Sequence, residues 1–143
     1  MIESNTTIAH RQETEQATPD LSVVIVSWNV RELLLQTVKA LLAPGVRGAL
    51  DIEVIVVDNA STDGSADALE DFPGIKLIRT PTNLGFGRAN NIGFEAAQGR
   101  NLLALNPDAV PCQGALEVLV RFADRHPRAG IVSPRLLNPD GSV

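Results

Sequence analysis

The run from Leu21 to Val26 is aliphatic apart from Ser22 and carries no charge. Such a continuous, β-branched run predicts a strand buried on both faces of a parallel sheet. Asn29 followed by Glu32 reads as an N-cap with its capping-box partner. Behind them Leu34, Val38, Leu41 and Leu42 form one helical stripe that ends before Pro44 and Gly45. The pattern then recurs. Ile52–Val57 predicts a second buried strand, and Asn59–Gly64 a turn that leads into a short helix through about Phe72. Ile75–Arg79 predicts a third strand, Pro81–Gly87 a glycine-bearing loop, and Arg88–Gln98 a helix stopped by Gly99. Leu102–Leu105 predicts a fourth strand that ends at Asn106-Pro107-Asp108. Gln113–Arg125 predicts an amphipathic helix closed by His126-Pro127, and Ile131–Ser133 a short fifth strand before the turn Asn138-Pro139-Asp140-Gly141. Met1 to Asp20 is polar, without a sustained apolar period, and reads as a disordered lead-in to a domain over residues 21–143.

Strands alternating with helices define an α/β fold, with a mainly parallel sheet covered by helices on both faces. In such sheets ligands bind beyond the carboxyl ends of the strands. Ser27–Asn29, Asp58–Asp63 and Asn106–Asp108 all follow apolar strands, so the polar residues able to do chemistry fall where this fold puts a site.

Composition changes that picture little. The chain has 143 residues, 44% hydrophobic and 20% charged, enough for one domain with its own core. Aromatics are 3%, so the core must be aliphatic. A formal net charge of −5 argues against a nucleic-acid partner. Cys112 is the one cysteine, which leaves no intrachain disulfide and reads as a small buried hydrophobe. No apolar run reaches the roughly 18 residues of a membrane span, and no secretory signal pattern opens the sequence. These features predict a soluble, cytoplasmic protein.

The candidate chemistry has ordinary alternatives. Asp58 can accept the N–H of a pyrimidine base or a ribose hydroxyl, or simply form the turn through Asn59-Ala60-Ser61. Asn106 and Asp108 put two oxygen-bearing side chains on one turn, suited to Mg2+ or Mn2+ once a diphosphate supplies more oxygens; the same residues also suit a plain turn. Gly85 and Gly87 precede a helix starting at Arg88, which can attract phosphate or remain a solvated cation. This is not the dinucleotide fingerprint, because Asn90 stands where a third glycine belongs and the loop follows the third strand. That absence speaks against a dinucleotide-dependent oxidoreductase. Trp28 reads either as a wall of the base pocket or as core. His10 and His126 have no metal-ligand spacing and read as surface residues.

Together, Ser22–Asn29, Val57–Ser65, the Asn83–Gly93 segment and Asn106-Pro107-Asp108 resemble family 2 glycosyltransferases of the glycosyltransferase A fold, from Leu21 to Val143. Pro134–Ser142, with the second and last of these motifs, is similar to the rhamnosyltransferase-like branch of cell-surface polysaccharide synthesis. The resemblance implies an inverting transfer from a UDP- or dTDP-linked sugar, rhamnose being one candidate, to a saccharide or lipid-linked acceptor. It implies Asp58 on the base, Ser27 and Asn29 lining the nucleotide pocket, Arg88 near the diphosphate, and Mg2+ or Mn2+ on Asp108 and Asn106. Asn106 stands where the family's metal motif has an Asp, which removes one charge. Inverting transfer also needs a general base, expected beyond Val143 in a later half of the enzyme. The resemblance thus implies a donor-binding part of a truncated fold, with little activity alone. The sheet edge so exposed invites a homodimer, and a lipid-linked acceptor would draw the whole enzyme to the cytoplasmic face of the membrane. A non-catalytic nucleotide-binding module on the same fold is the alternative.

Overall fold

The computed structural model describes residues 17–138 apart from 71, together with 140–142. Most of the expected lead-in lies outside the described residues. Its last two, Pro19 and Asp20, are tied to the body: Arg100 N–H donates to the Pro19 carbonyl at 3.0 Å, and Asp20 N–H to that of Asp51 at 2.9 Å.

The elements run β1 (Leu21–Ser27), α1 (Arg31–Leu42), α2 (Pro44–Arg47), β2 (Ile52–Asp58), β3 (Ile75–Arg79), α3 (Phe86–Ala96), β4 (Leu102–Leu105) and α4 (Ala115–Arg125). The strands form one sheet in the order β3-β2-β1-β4, and every pairing is parallel. β1 and β2 lie inside the sheet, which is why their sequences are almost wholly aliphatic: both faces need covering. Alternate residues serve opposite faces. Val23 and Ile25 of β1 join Val54 and Val56 of β2 against Leu34, Val38 and Leu41 of α1 and Leu116 and Val120 of α4. Val24, Val26, Ile55 and Val57 face the other way and meet Ala89 of α3. Full burial of such a side chain contributes roughly 1.5–3 kcal/mol, so these two clusters dominate folding.

Close approach of α3 to the sheet rests on Gly93. A Cβ there would sit 2.3 Å from Val24 Cγ1 and 3.2 Å from Val57 Cγ2. At the amino ends of the strands Ser22 Oγ donates to Glu53 at 2.6 Å and accepts Gly99 N–H at 2.8 Å, pinning the link from α3 to β4.

Several expectations need correction. Asn29 is not the cap of α1: Val30 holds that position and no side chain of its own caps it. Asn29 instead adopts φ 54°, and the cap comes from across the sheet, as described below. The helix α1 does end before Pro44, as expected, but a further short helix, α2, starts at Pro44, whose fixed φ and missing N–H suit a first helical position. The segment after Gly64 makes only a 3-10 turn, Asp67–Leu69. Ile131–Ser133 forms no strand. Pro134 follows at once, no neighbouring strand pairs with the segment, and Ile131 is 93% exposed. Its residues Val132 and Ser133 instead edge a groove beside Val118 and Phe122 of α4. Cys112 is exposed, on the link into α4 rather than in the core.

Candidate functional site

The last rung of the β1–β2 ladder pairs Ser27 with Asp58. In a parallel pair in register the two side chains leave the same face, here at the carboxyl end of the sheet. Both are buried, at 0% and 4% exposure. One Asp58 oxygen, Oδ2, accepts Ser61 N–H at 3.1 Å and so forms the turn. The other, Oδ1, has no partner among the described residues, and neither has Ser27 Oγ. The turn and ligand roles of Asp58 are therefore compatible, one oxygen serving each. Buried polar atoms are rarely left unpaired, because desolvation without a bond costs on the order of 1–3 kcal/mol.

The loops beyond these ends are stitched together by side chains. Asn29 N–H donates to Ser61 Oγ at 3.0 Å, and Asn29 Oδ1 accepts Thr62 N–H at 2.8 Å. Asp63 Oδ2 accepts Arg31 N–H at 2.9 Å, satisfying the first amide of α1, while its other oxygen binds the Ser65 hydroxyl and N–H. The Ser65 hydroxyl is the main cause holding the Asp63 carboxyl below its ordinary value, with the amides of Arg31 and Ser65 adding to it. On the far side Asn59 Nδ2 donates to Asn83 Oδ1 at 2.9 Å, and Asn59 Oδ1 accepts Leu84 N–H at 2.9 Å. At the β3 edge, Arg79 pairs with Asp67 at 2.9 Å and Glu70 at 2.6 Å, and the bond to Asp67 raises its pKa most.

Between these loops lies an open cleft of about 480 Å³. Trp28, Leu33 and Phe86 give it an apolar wall, and Asn83, Asn106 and Asp108 give it polar atoms. Trp28 is 55% exposed, so it is not core. Asn106 and Asp108 share a turn closed by Ala109 N–H on the Asn106 carbonyl at 3.1 Å. Thr37, fully buried on α1, donates to the Pro107 carbonyl at 2.8 Å and fixes that turn to the helix.

The predicted site residues thus divide. Asn106 and Asp108 line the cleft; Ser27 and Asp58 are the buried chain neighbours of lining residues Trp28 and Asn59. Asn29 serves the stitching of two loops. Arg88 is exposed in the first turn of α3 and is not among the residues lining the cleft. His126 stacks on Phe122 at a centroid distance of 4.0 Å, remote in sequence from the site loops, and His10 lies outside the described residues. Thr37 and Asn59 were not singled out by sequence reasoning. Thr37 could have been, as a hydroxyl on the otherwise aliphatic stripe of α1. Asn59 could not, since an Asn after a strand looks like any turn residue. Among the described residues no three His, Cys, Asp or Glu side chains group to hold a metal. Asn106 and Asp108 suit a divalent cation that takes most of its oxygens from a ligand and water.

Solved structures share this architecture. A mannosyltransferase from Pyrobaculum calidifontis, solved with GDP-Man and Mn2+, superposes with a TM-score of 0.65 at 25% identity, over 75% of this chain and 33% of that one. S. aureus TarS 1-349 in complex with UDP-GlcNAc gives a TM-score of 0.64 at 22% identity, over 81% and 37%, and shows likeness of fold alone. The fold is that of the glycosyltransferase A class, a Rossmann-like nucleotide-sugar transferase fold. The profile described as Glycosyl transferase family 2 matches residues 22–143, and the chain belongs to that family. Among its relatives is an N-acetylglucosaminyl-diphospho-decaprenol L-rhamnosyltransferase of Mycobacterium tuberculosis (strain ATCC 25618 / H37Rv). It is 35% identical over 104 residues, 64% of this chain and 34% of the relative. The succinoglycan biosynthesis protein ExoO of Rhizobium meliloti is 30% identical over 109 residues, 74% of this chain and 30% of the relative. The chain therefore spans about a third of the length of these two relatives. No helix among the described residues is long and apolar enough to cross a membrane.

Proposed function

We propose that this chain carries the donor-binding part of an inverting glycosyltransferase that uses a pyrimidine nucleoside-diphosphate sugar. One observation carries the reading: the unpartnered, buried pair Ser27 Oγ and Asp58 Oδ1 on the last rung of β1 and β2. A hydroxyl that can donate beside a carboxylate that can only accept complements an imide edge, where a carbonyl sits next to an N–H. Uracil and thymine present that edge. Trp28 offers the base an apolar face, and Asn83 and the amides at the start of α3 face the ribose and diphosphate, with Arg88 as the nearest cation on that helix.

Asn106 and Asp108 would hold Mg2+ or Mn2+ beside the diphosphate, where the cation would neutralise charge gathering on the leaving group. Only Asp108 brings a full charge, so it carries most of that duty. Thr37 keeps the pair in place through the Pro107 carbonyl. We assign the general base to no residue of this chain.

One relative is named an N-acetylglucosaminyl-diphospho-decaprenol L-rhamnosyltransferase and another a succinoglycan biosynthesis protein, which supports rhamnose as a candidate sugar and a saccharide or lipid-linked acceptor. Such an acceptor would bring the whole protein to a membrane face.

The test is calorimetric titration of UDP, dTDP and GDP, with and without Mn2+, into the wild type, Asp58→Ala and Asp108→Ala. UDP or dTDP should bind better than GDP, and Asp58→Ala should weaken them by roughly ten- to a hundredfold, the loss of one charge-assisted bond. Asp108→Ala should abolish the gain from Mn2+. Equal affinity for all three nucleotides, unchanged by Asp58→Ala, would refute the base assignment.

A further inference from the structure

We infer that Asn59 is a positioning residue of this cleft, a buried clamp that holds the wall formed by residues 83–86 against the ends of β1 and β2. The inference rests on the donor-site reading for its ligand and on the geometry alone for the clamp.

Asn59 is 3% exposed, yet its backbone N–H and both side-chain polar atoms are engaged. Its N–H donates to the Ser27 carbonyl at 2.8 Å, tying it to β1. Its Oδ1 accepts Leu84 N–H at 2.9 Å and the Thr80 hydroxyl at 3.3 Å. Its Nδ2 donates to Asn83 Oδ1 at 2.9 Å, and that same oxygen accepts Gly85 N–H at 2.9 Å. The orientation of the amide is unambiguous, because Leu84 N–H can only donate and Asn83 Oδ1 can only accept.

This arrangement is needed because the ladder stops short of the loop. β3 ends at Arg79, and Thr80 N–H makes the last backbone bond toward β2, at 3.0 Å to the Asp58 carbonyl. From there the chain turns through Gly85, at φ 79°, into α3. No strand pairing fixes residues 83–85; the Asn59 side chain does. Phe86, 59% exposed, follows directly and lines the cleft together with Trp28. If the amide is lost, the Asn83 and Leu84 anchors go together, the Asn83 oxygen that accepts Gly85 N–H loses its own tether, and the width of the cleft is no longer set.

A purely structural Asn would lower stability and leave affinity alone. The deciding experiment therefore reads two things in the intact chain: amide hydrogen exchange without ligand, and UDP or dTDP affinity with Mn2+. Asn59→Ala should expose the Leu84 and Gly85 amides to exchange while those of β1 and β2 stay protected. It should also raise the nucleotide Kd roughly tenfold, the equivalent of one or two lost hydrogen bonds. Asn59→Asp retains the acceptor for Leu84 and loses the donor to Asn83. It should keep Leu84 protected, release Gly85, and weaken binding less than Asn59→Ala. If Asn59→Ala proves unfolded, Asn59→Asp decides on its own. Retained protection at Leu84 and Gly85 in Asn59→Ala, or lost protection with unchanged affinity, overturns the inference. A wild type that binds neither UDP nor dTDP overturns the donor reading instead, and the exchange data still judge the clamp.

Discussion

The two sides of this sheet are built differently. On the β1–β2–β3 side every strand end runs into a loop tied by side chains: Asn29 to Ser61 and Thr62, Asp63 to Arg31, Asn59 to Asn83 and Leu84. On the β4–α4 side apolar groups stand in the open. Leu102 of β4 is 52% exposed, Val118 of α4 66%, and Ile131 and Leu136 beyond it 93% and 76%. β1 and β2 have a strand on each flank, whereas β4 pairs with β1 alone. Position in the sheet, more than hydrophobicity, sets how far a strand is buried: β4 is as aliphatic as β1, yet half its residues face solvent. Tight packing and polar stitching thus meet at the strand ends where the unpartnered Ser27 and Asp58 atoms lie.

The largest effect we expect tests the packing under that site. Gly93→Ala adds a methyl that would press on Val24 Cγ1, in the cluster between α3 and the sheet. Helix propensity favours Ala by about 1 kcal/mol, but overpacking a rigid core costs about 1–3 kcal/mol. Overpacking against the buried Val24 wins, and urea unfolding should show a net loss of up to about 2 kcal/mol. Gly87→Ala is the matched control, on the same helix with nothing within 4 Å of the added atom. It should be neutral or slightly stabilising. Equal losses for both would mean that α3 does not seat on the sheet through Gly93.

The pattern of apolar runs made the layer order legible, because buried parallel strands must be aliphatic on both faces. It also pointed to the strand ends, where polar residues interrupt such runs and where the cleft lies. What it could not give was pairing between loops far apart in sequence. Asn29 and Glu32 look like a local capping box, but the amide of Arg31 is met by Asp63, thirty-two residues on. Local spacing cannot distinguish a cap supplied from the same loop from one supplied by the next strand's loop. The fifth strand failed for a related reason: Ile131-Val132-Ser133 has strand composition, but a strand also needs an edge to pair with. Likewise Arg88 has the right charge at the right helix end, yet its side chain is not part of the cleft lining.

Asp63 supplies the next test, through pH. Its carboxyl is held below the ordinary 3.8, first by the Ser65 hydroxyl, so the folded state favours the ionised form. That contribution is complete above 3.8 and is lost as pH falls below it, through the lower folded value. Asp20 behaves alike, held down chiefly by the Asp51 amide, so the wild-type slope alone is not specific. The difference between wild type and Asp63→Asn is. Urea melts should place the variant a few tenths to about 1 kcal/mol below wild type at neutral pH, the worth of an exposed cap. The gap should close as pH drops below 3.8. A gap independent of pH would show that the carboxylate's charge does not hold the two loops together.

The smallest effect is expected on the other side of the molecule. Ile131 and Leu136 have little apolar area to lose, since they are already 93% and 76% exposed. Area removed from water stabilises by about 25 cal/mol per Å², so Ile131→Ser and Leu136→Ser should each change unfolding free energy by less than about 0.5 kcal/mol. Their effect should appear in solution behaviour instead, because exposed aliphatic residues favour self-association. Sedimentation of the double variant at rising concentration should show less association than wild type, with the melting curve unchanged. A loss above 1 kcal/mol from Ile131→Ser would break the comparison. Residues 131–136 would then have to bury apolar surface in solution, and the β4–α4 side would be packed like the other.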